Sequence, residues 1–358
     1  VNFDQLFEKK MLICCGTGGV GKTTTSAALA LKAGELGKRV GLITIDPAKR
    51  LATSLGLKSL KHDPQSIDEA IKKYLPKFKG SVSALMLDSE NTFYRFLEEV
   101  GGKNVHDIFR SSDLFEVIAG NFGGAHDYLA MEKLHELYTS KKYDLLILDT
   151  PPARHTLDFL DAPENIAKFF DDRIFSWFLI DARSNAFTEK LRAKGAKAAL
   201  GVLEKLTGEG VIKDFVQLAP HIYRVKNAFV ERQNTIRSFI TSKEAGAIFI
   251  SSPLDLNRGE AKPFLEDAKD KGVEILAFIM NRSLSHLAPG KLSKDEKNYP
   301  AELLENYQNL RFLVEEEEKN FTLLKKMTGK NQLLLAMPEL EKDIHDLPAL
   351  YELTKHFP

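Results

Sequence analysis

Met11-Leu12-Ile13-Cys14-Cys15-Gly16-Thr17-Gly18-Gly19-Val20-Gly21-Lys22-Thr23-Thr24 is the stretch on which the fold turns. Met11 to Cys15 is a short continuous apolar run, the pattern of a strand covered on both faces. Gly16 to Thr23 keeps the spacing G-x-x-x-x-G-K-T. Lys22 to Leu36 then reads as a helix, ended by Gly37. Strand, glycine loop and helix in this order make an anion cradle. The glycines reach backbone conformations closed to other residues and let N–H groups approach phosphate oxygens. The helix adds its positive N-terminal end. Gly16, Thr17, Gly18, Gly19, Val20, Gly21, Lys22, Thr23 and Thr24 are therefore the candidate phosphate-binding residues. Lys22 is the candidate catalytic cation between β- and γ-phosphates, and the Thr23 hydroxyl the candidate Mg²⁺ ligand.

Outward from this loop, apolar runs alternate with longer helical patterns, which predicts parallel βαβ units. Further strands are expected at Val40–Ile45, Val82–Leu87, Leu145–Leu148, Ala247–Ile250, Ile275–Met280 and Leu333–Met337. The fold expected is α/β, a doubly wound, mostly parallel sheet of the P-loop NTPase type, with residues 1–358 as one domain. Residues from about 156 to 245 show no convincing strand and are expected to form a helical insertion. Within it Phe169, Phe170, Ile174, Trp177 and Phe178 recur at helix spacing, as a client-facing row or as plain helix packing. Ser285 to Asn298 is polar and reads as a loop.

Ligands of open parallel sheets bind at the carboxyl ends of the strands. Two aspartates fall there: Asp46 after Ile45, and Asp149 after Leu148. A carboxylate beside Mg²⁺ holds the metal through water or orients the attacking water. Asp46 is followed by Pro47, and Asp149-Thr150 by Pro151 and Pro152; the prolines stiffen both exits. The metal candidates are thus Thr23 and, through water, Asp149.

Lys and Arg total 50 and Asp and Glu total 50, so the formal net charge is zero. That speaks against nucleic acid as a partner, which asks for basic footing. The two cysteines, Cys14 and Cys15, are adjacent and suit neither a disulfide with each other nor a thiolate zinc site. Low cysteine use fits a reducing cytoplasm. The first residues lack a signal pattern, and no apolar run approaches the roughly 20 residues of a membrane span.

Gly16 to Thr24, Thr44-Ile45-Asp46-Pro47-Ala48 and Asp149-Thr150-Pro151-Pro152-Ala153-Arg154-His155-Thr156-Leu157 together resemble the ArsA family. It includes arsenite-pump ATPases, ATPases that target tail-anchored membrane proteins, and shorter bacterial homologues. The resemblance implies ATP and Mg²⁺ as cofactors. It implies that Asp46, in a first switch with Pro47, polarises the attacking water. It makes Asp149, Pro151 and Pro152 a second switch that reports the γ-phosphate to the helical subdomain. Asn281 matches the residue that hydrogen-bonds adenine, and Pro338 the loop that packs on the base. Adenine is also favoured because Asn281-Arg282-Ser283-Leu284 lacks the acid that a guanine-reading loop needs.

One departure stands out. The family loop is G-K-G-G-V-G-K-T, and its first lysine reaches a dimer partner's phosphates. Here that position is Thr17. Arg50 and Arg154 stand either as substitute cations or as surface arginines. The cysteine ligands of the arsenite pumps and the dimer-stapling cysteine pair are absent from the sequence. The reading that results is a nucleotide-driven switch for a protein, hydrophobic or membrane-protein client, working as a homodimer or a heterodimer with a paralogue. Two alternatives stay open: a soluble ATPase subunit of an anion efflux system, and a weakly catalytic regulatory subunit beside a lysine-bearing paralogue.

Overall fold

The computed structural model of the chain describes residues 2–45, 50–110, 125–151, 157–161, 209–253, 261–288 and 299–358. Its strands are β1 Met11–Gly16, β2 Arg39–Thr44, β3 Gln65–Ser66, β4 Ser81–Met86, β5 Leu145–Asp149, β6 Ala245–Ser251, β7 Ile275–Ser283 and β8 Leu333–Pro338. The helices are α1 Lys22–Glu35, α2 Arg50–Ser54, α3 Asp68–Tyr74, α4 Ser89–Gly101, α5 Lys103–Arg110, α6 Ala125–Ser140, α7 Glu209–Ile240, α8 Ala261–Asp270, α9 Ala301–Met327 and α10 Leu347–Thr354.

The strands form one sheet in the order β3-β4-β2-β5-β1-β6-β7-β8. Every neighbouring pair is parallel except β3 with β4. The seven expected strands are all present. β3 was not expected, since two residues are too few to show a pattern. The central strands β1, β5 and β6 are buried along their whole length, which is why they read as unbroken apolar runs.

Side chains alternate between the faces. Leu12 and Cys14 of β1, Val40 and Leu42 of β2, and Leu145 and Ile147 of β5 join one buried cluster with Leu29 and Leu31 of α1 and Leu347, Leu350 and Leu353 of α10. Opposite, Phe249 of β6 packs on Phe264 of α8 with ring centroids 5.1 Å apart. Helices thus cover both faces, and the sheet is doubly wound.

The chain divides into two compact units. The first, Val1–Met86, Ser140–Leu157 and Phe239–Pro358, holds the sheet. The second, Leu87–Thr139 and Asp158–Ser238, has only helices among its described elements. Inside it Phe96 of α4 meets Phe229 of α7 edge-on at 5.0 Å. Arg232 of α7 lies over the Phe96 ring and pairs with Glu132 of α6 and Glu99 of α4. The expected insertion at about 156–245 overlaps this unit, but residues 162–208, with Phe169, Phe170, Ile174, Trp177 and Phe178, lie outside the described residues. Its described helix, α7, packs with α4 and α6, which precede β5. The unit therefore also draws on 87–139, where no separate unit was expected. Helix periodicity reports a buried face, not which body buries it.

Candidate nucleotide site

The loop between β1 and α1 sits at the carboxyl end of the sheet. Two glycines are fixed by close approach. A Cβ on Gly16 would fall 2.0 Å from the Ile250 carbonyl oxygen, on the neighbouring β6. A Cβ on Gly21 would fall 2.3 Å from Asn281 Nδ2, and Gly21 also has φ +90°. Only glycine meets both demands at Gly21.

Lys22 begins α1 and is 8% exposed. Its ammonium folds over the loop and donates to the Gly16 and Thr17 carbonyls at 3.0 and 2.7 Å. Thr23 Oγ1 donates to Asp149 Oδ2 at 2.8 Å, and Thr44 Oγ1, from the end of β2, donates to the same oxygen at 3.0 Å. Asp149 ends β5 and is fully buried. The sheet order explains the meeting: β5 lies between β1 and β2, so its last residue faces both the glycine loop and the β2 exit. Beyond it the Thr150 hydroxyl donates to the Cys14 carbonyl at 2.7 Å, tying the exit of β5 to the strand that leads into the loop. Pro151 is half-buried.

Asn281 lies at the far end of the loop. It is 6% exposed, and its Nδ2 donates to the Val20 carbonyl at 2.9 Å. β7 runs on past the expected Met280 end as far as Ser283. A register shift falls between Met280 and Ser283, and Arg282 has φ +64°. Ser283 pairs with Pro338 at the end of β8, so Asn281 and Pro338 reach the same edge.

The structure thus gathers Gly16 to Thr24, Asp149 and Asn281 around one loop, with Pro338 close along the sheet edge. Asp46, Pro47, Pro152 and Arg154 lie outside the described residues, as does the Arg50 side chain. Thr44 was missed, although a hydroxyl in the buried run Gly41-Leu42-Ile43-Thr44-Ile45 was a visible signal. Thr17 is 4% exposed, and its hydroxyl has no hydrogen-bond partner among the described residues. Burial, with the Asp149 charge beside it, holds the Cys14 thiol well above its ordinary range. Burial raises Cys15 likewise, against the opposing Lys22 charge. Both cysteines are inert thiols in a packed sheet, not thiolate ligands.

A parallel sheet that delivers a G-x-x-x-x-G-K-T loop onto a helix N-terminus, with a buried aspartate ending the adjacent strand, defines a P-loop nucleotide hydrolase. The sequence model of the anion-transporting ATPase family, ArsA_ATPase, matches residues 9–284. The chain belongs to this family and is an ATP hydrolase. It is similar to putative arsenical pump-driving ATPase 1 of Aquifex aeolicus, 23% identical over 97% of this chain and 78% of the relative. Putative arsenical pump-driving ATPase 2 of the same organism is 24% identical over 82% of this chain and 87% of its own. ATPase get3 of Schizosaccharomyces japonicus is 31% identical over 44% of this chain and 45% of its own. Among the described residues no helix is long and apolar enough to cross a membrane.

Proposed function

We propose that this ATPase is a nucleotide-driven switch: Mg-ATP binds at the Gly16–Thr24 loop, and its γ-phosphate state is passed through Asp149 to the helical unit, which engages a protein or hydrophobic client. One observation carries this reading. Asp149 Oδ2 accepts from Thr23 of the phosphate loop and from Thr44 of the first-switch strand. A ligand that takes the Thr23 hydroxyl must break its bond to an oxygen that Thr44 shares. The chain leaves the sheet unit just after this segment, at Leu157, and enters the helical unit at Asp158.

The site residues fit Mg²⁺. A threonine hydroxyl and a single carboxylate are hard oxygen donors, and Mg²⁺ is commonly held by one or two carboxylates plus phosphate and water. Thr23 would bind it directly and Asp149 through water. Bound there, it supplies charge neutralisation at the β- and γ-phosphates. Lys22 leaves the Gly16 and Thr17 carbonyls for the phosphates. Asp46, with Pro47, polarises the attacking water.

Adenine selection rests on Asn281. Its Nδ2 is anchored on Val20, which leaves Oδ1 to accept from an adenine amino group. Guanine presents a carbonyl oxygen at that place, and two acceptors repel. Pro338 packs on the base.

We further propose that the working form is a dimer, of this chain or with a lysine-bearing paralogue. The buried Thr17 brings no cation to a partner, which favours slow hydrolysis by the isolated chain. The family's description as anion-transporting supports a second reading, an ATPase subunit of an anion efflux system. The inert Cys14 and Cys15 make neither a metalloid ligand. Two assays on the pure chain separate the readings. An apolar helix bound only with Mg-ATP supports the switch. Turnover stimulated by arsenite or antimonite, without any such binding, replaces the switch with the efflux reading.

A further inference from the structure

Asn281 has a second support, supplied by a residue far along the chain. α9 buries Val314, Glu317, Asn320 and Leu324, positions three and four apart on one face. Two of these four are polar, and a carboxylate in such a row is costly unless donors meet it. They do. Glu317 is 4% exposed; one oxygen accepts from the Ser283 hydroxyl, and the other accepts from the Leu284 N–H at 2.6 Å. Asn320, one turn on, donates from Nδ2 to the Pro253 carbonyl at 2.5 Å, just past the end of β6. α9 therefore grips the exits of two adjacent strands, β6 and β7.

The grip on β7 falls two and three residues after Asn281, where the strand is least regular. The register shifts between Met280 and Ser283, and Arg282 takes a left-handed φ. Without side-chain anchors an irregular strand end has few ladder bonds to define it. Here it has three. Glu317 holds Ser283 and Leu284. The Glu339 N–H donates to the Ser283 carbonyl at 2.8 Å. Arg282 forms a two-pronged pair with Glu339 at 2.7 and 2.9 Å. The Arg282–Glu339 pair is solvent-exposed, so its own contribution is small. Glu317 is the buried anchor.

We propose that Glu317 is a positioning residue for base selection: it fixes the β7 exit so that Asn281, already anchored on Val20, presents its amide to the base of the nucleotide. This rests on the reading of Asn281 as the adenine-binding residue. Nothing of α9 takes part in holding phosphate, which falls to the loop at the start of α1. The two functions therefore separate in a binding experiment.

The test uses the full chain and three Mg²⁺-bound ligands: ATP, GTP and inorganic tripolyphosphate. Affinities are measured for the unaltered protein and for Glu317→Leu, Ser283→Ala and Asn281→Ala. Tripolyphosphate reads the loop alone, and the ratio of ATP to tripolyphosphate affinity reads the base. Glu317→Leu is expected to lower that ratio about tenfold and to narrow the preference for ATP over GTP, with tripolyphosphate affinity unchanged within about twofold. Ser283→Ala removes one donor, keeps the carboxylate paired with Leu284, and lowers the ratio about threefold. It also serves if Glu317→Leu does not fold. Asn281→Ala sets the scale. If it lowers the ratio and neither other variant does, the inference about Glu317 is wrong while the adenine reading stands. A fall in ATP and tripolyphosphate together by Glu317→Leu also overturns it, since that marks general loss of structure. If Asn281→Ala leaves the ratio unchanged, the adenine reading fails and the inference fails with it.

Discussion

Asp149 meets two hydroxyls with one oxygen, which makes it the side chain most exposed to a conservative test. Asp149→Asn keeps the shape and removes the charge that Mg²⁺ and its water would feel. Hydrolysis under saturating ATP is expected to fall about 100-fold, with a higher Mg²⁺ requirement. Steady-state turnover across a Mg²⁺ titration checks this; an unchanged Mg²⁺ midpoint would remove Asp149 from the metal site. Gly21→Ala is expected to weaken both phosphate and base binding. Its Cβ would need the space of Asn281 Nδ2, 2.3 Å away, at a φ of +90°. Calorimetric titration with ATP and tripolyphosphate reads both losses. At this scale the loop and Asp149 were legible, because each pairs a residue type with a strand end or a fixed spacing, while Asn281 was named through the family resemblance. Glu317 was not legible. It stands in the run Glu315-Glu316-Glu317-Glu318, and nothing in four successive acids tells which one turns inward. Only the docking of α9 on β7 makes that choice.

At the scale of elements, the helical unit carries its own buried ion system. Glu132 of α6 is 3% exposed and meets Arg232 of α7, which also reaches Glu99 of α4. The groups that face Glu132 are Arg232, Glu99 and Glu136, with burial the largest influence. Burial raises Glu132 to about 7, against the opposing Arg232 charge. A carboxyl raised on folding binds more protons in the folded state. Its contribution to stability is therefore complete below the ordinary carboxylate range, near 4.5, and is lost as pH rises through about 7. Thermal melts from pH 5 to 8 should show a downward slope that Glu132→Gln flattens. Equal slopes in both proteins would place the titration elsewhere. Arg232→Ala leaves Glu132 buried without its partner, and with the opposing charge gone the carboxyl takes up a proton at neutral pH. Since Arg232 is itself partly exposed, the loss should lie at the lower end of the range for broken buried pairs, about 3 kcal/mol. Chemical denaturation measures it. The sequence marked the stretch that holds α7 as helical, but not that α4 and α6 pack with it. That pairing depends on Phe96, Phe229 and Arg232, residues more than 130 positions apart at the extremes.

For the whole molecule, the sheet was the most legible feature. Its strands are buried on both faces, so their sequences carry little but apolar residues, and a run of that kind has few other readings. The carboxyl edge of that sheet then dictates where ligands bind. The proposed dimer is written less plainly, because Thr17 stands where the loop that this sequence resembles carries a lysine. Thr17→Lys restores that cation. If the chain pairs with itself, turnover per protomer should rise at least tenfold and grow with protein concentration. A change without concentration dependence would contradict pairing of the chain with itself.

The proposed place of ATP hydrolysis is the loop between β1 and α1. Phosphate release from Mg-ATP by the full chain, compared with Lys22→Ala at equal concentration, tests it most directly. Mg²⁺-dependent release is expected from the unaltered chain, with a fall of about 100-fold or more in the variant. Release undiminished by the loss of Lys22 would contradict it.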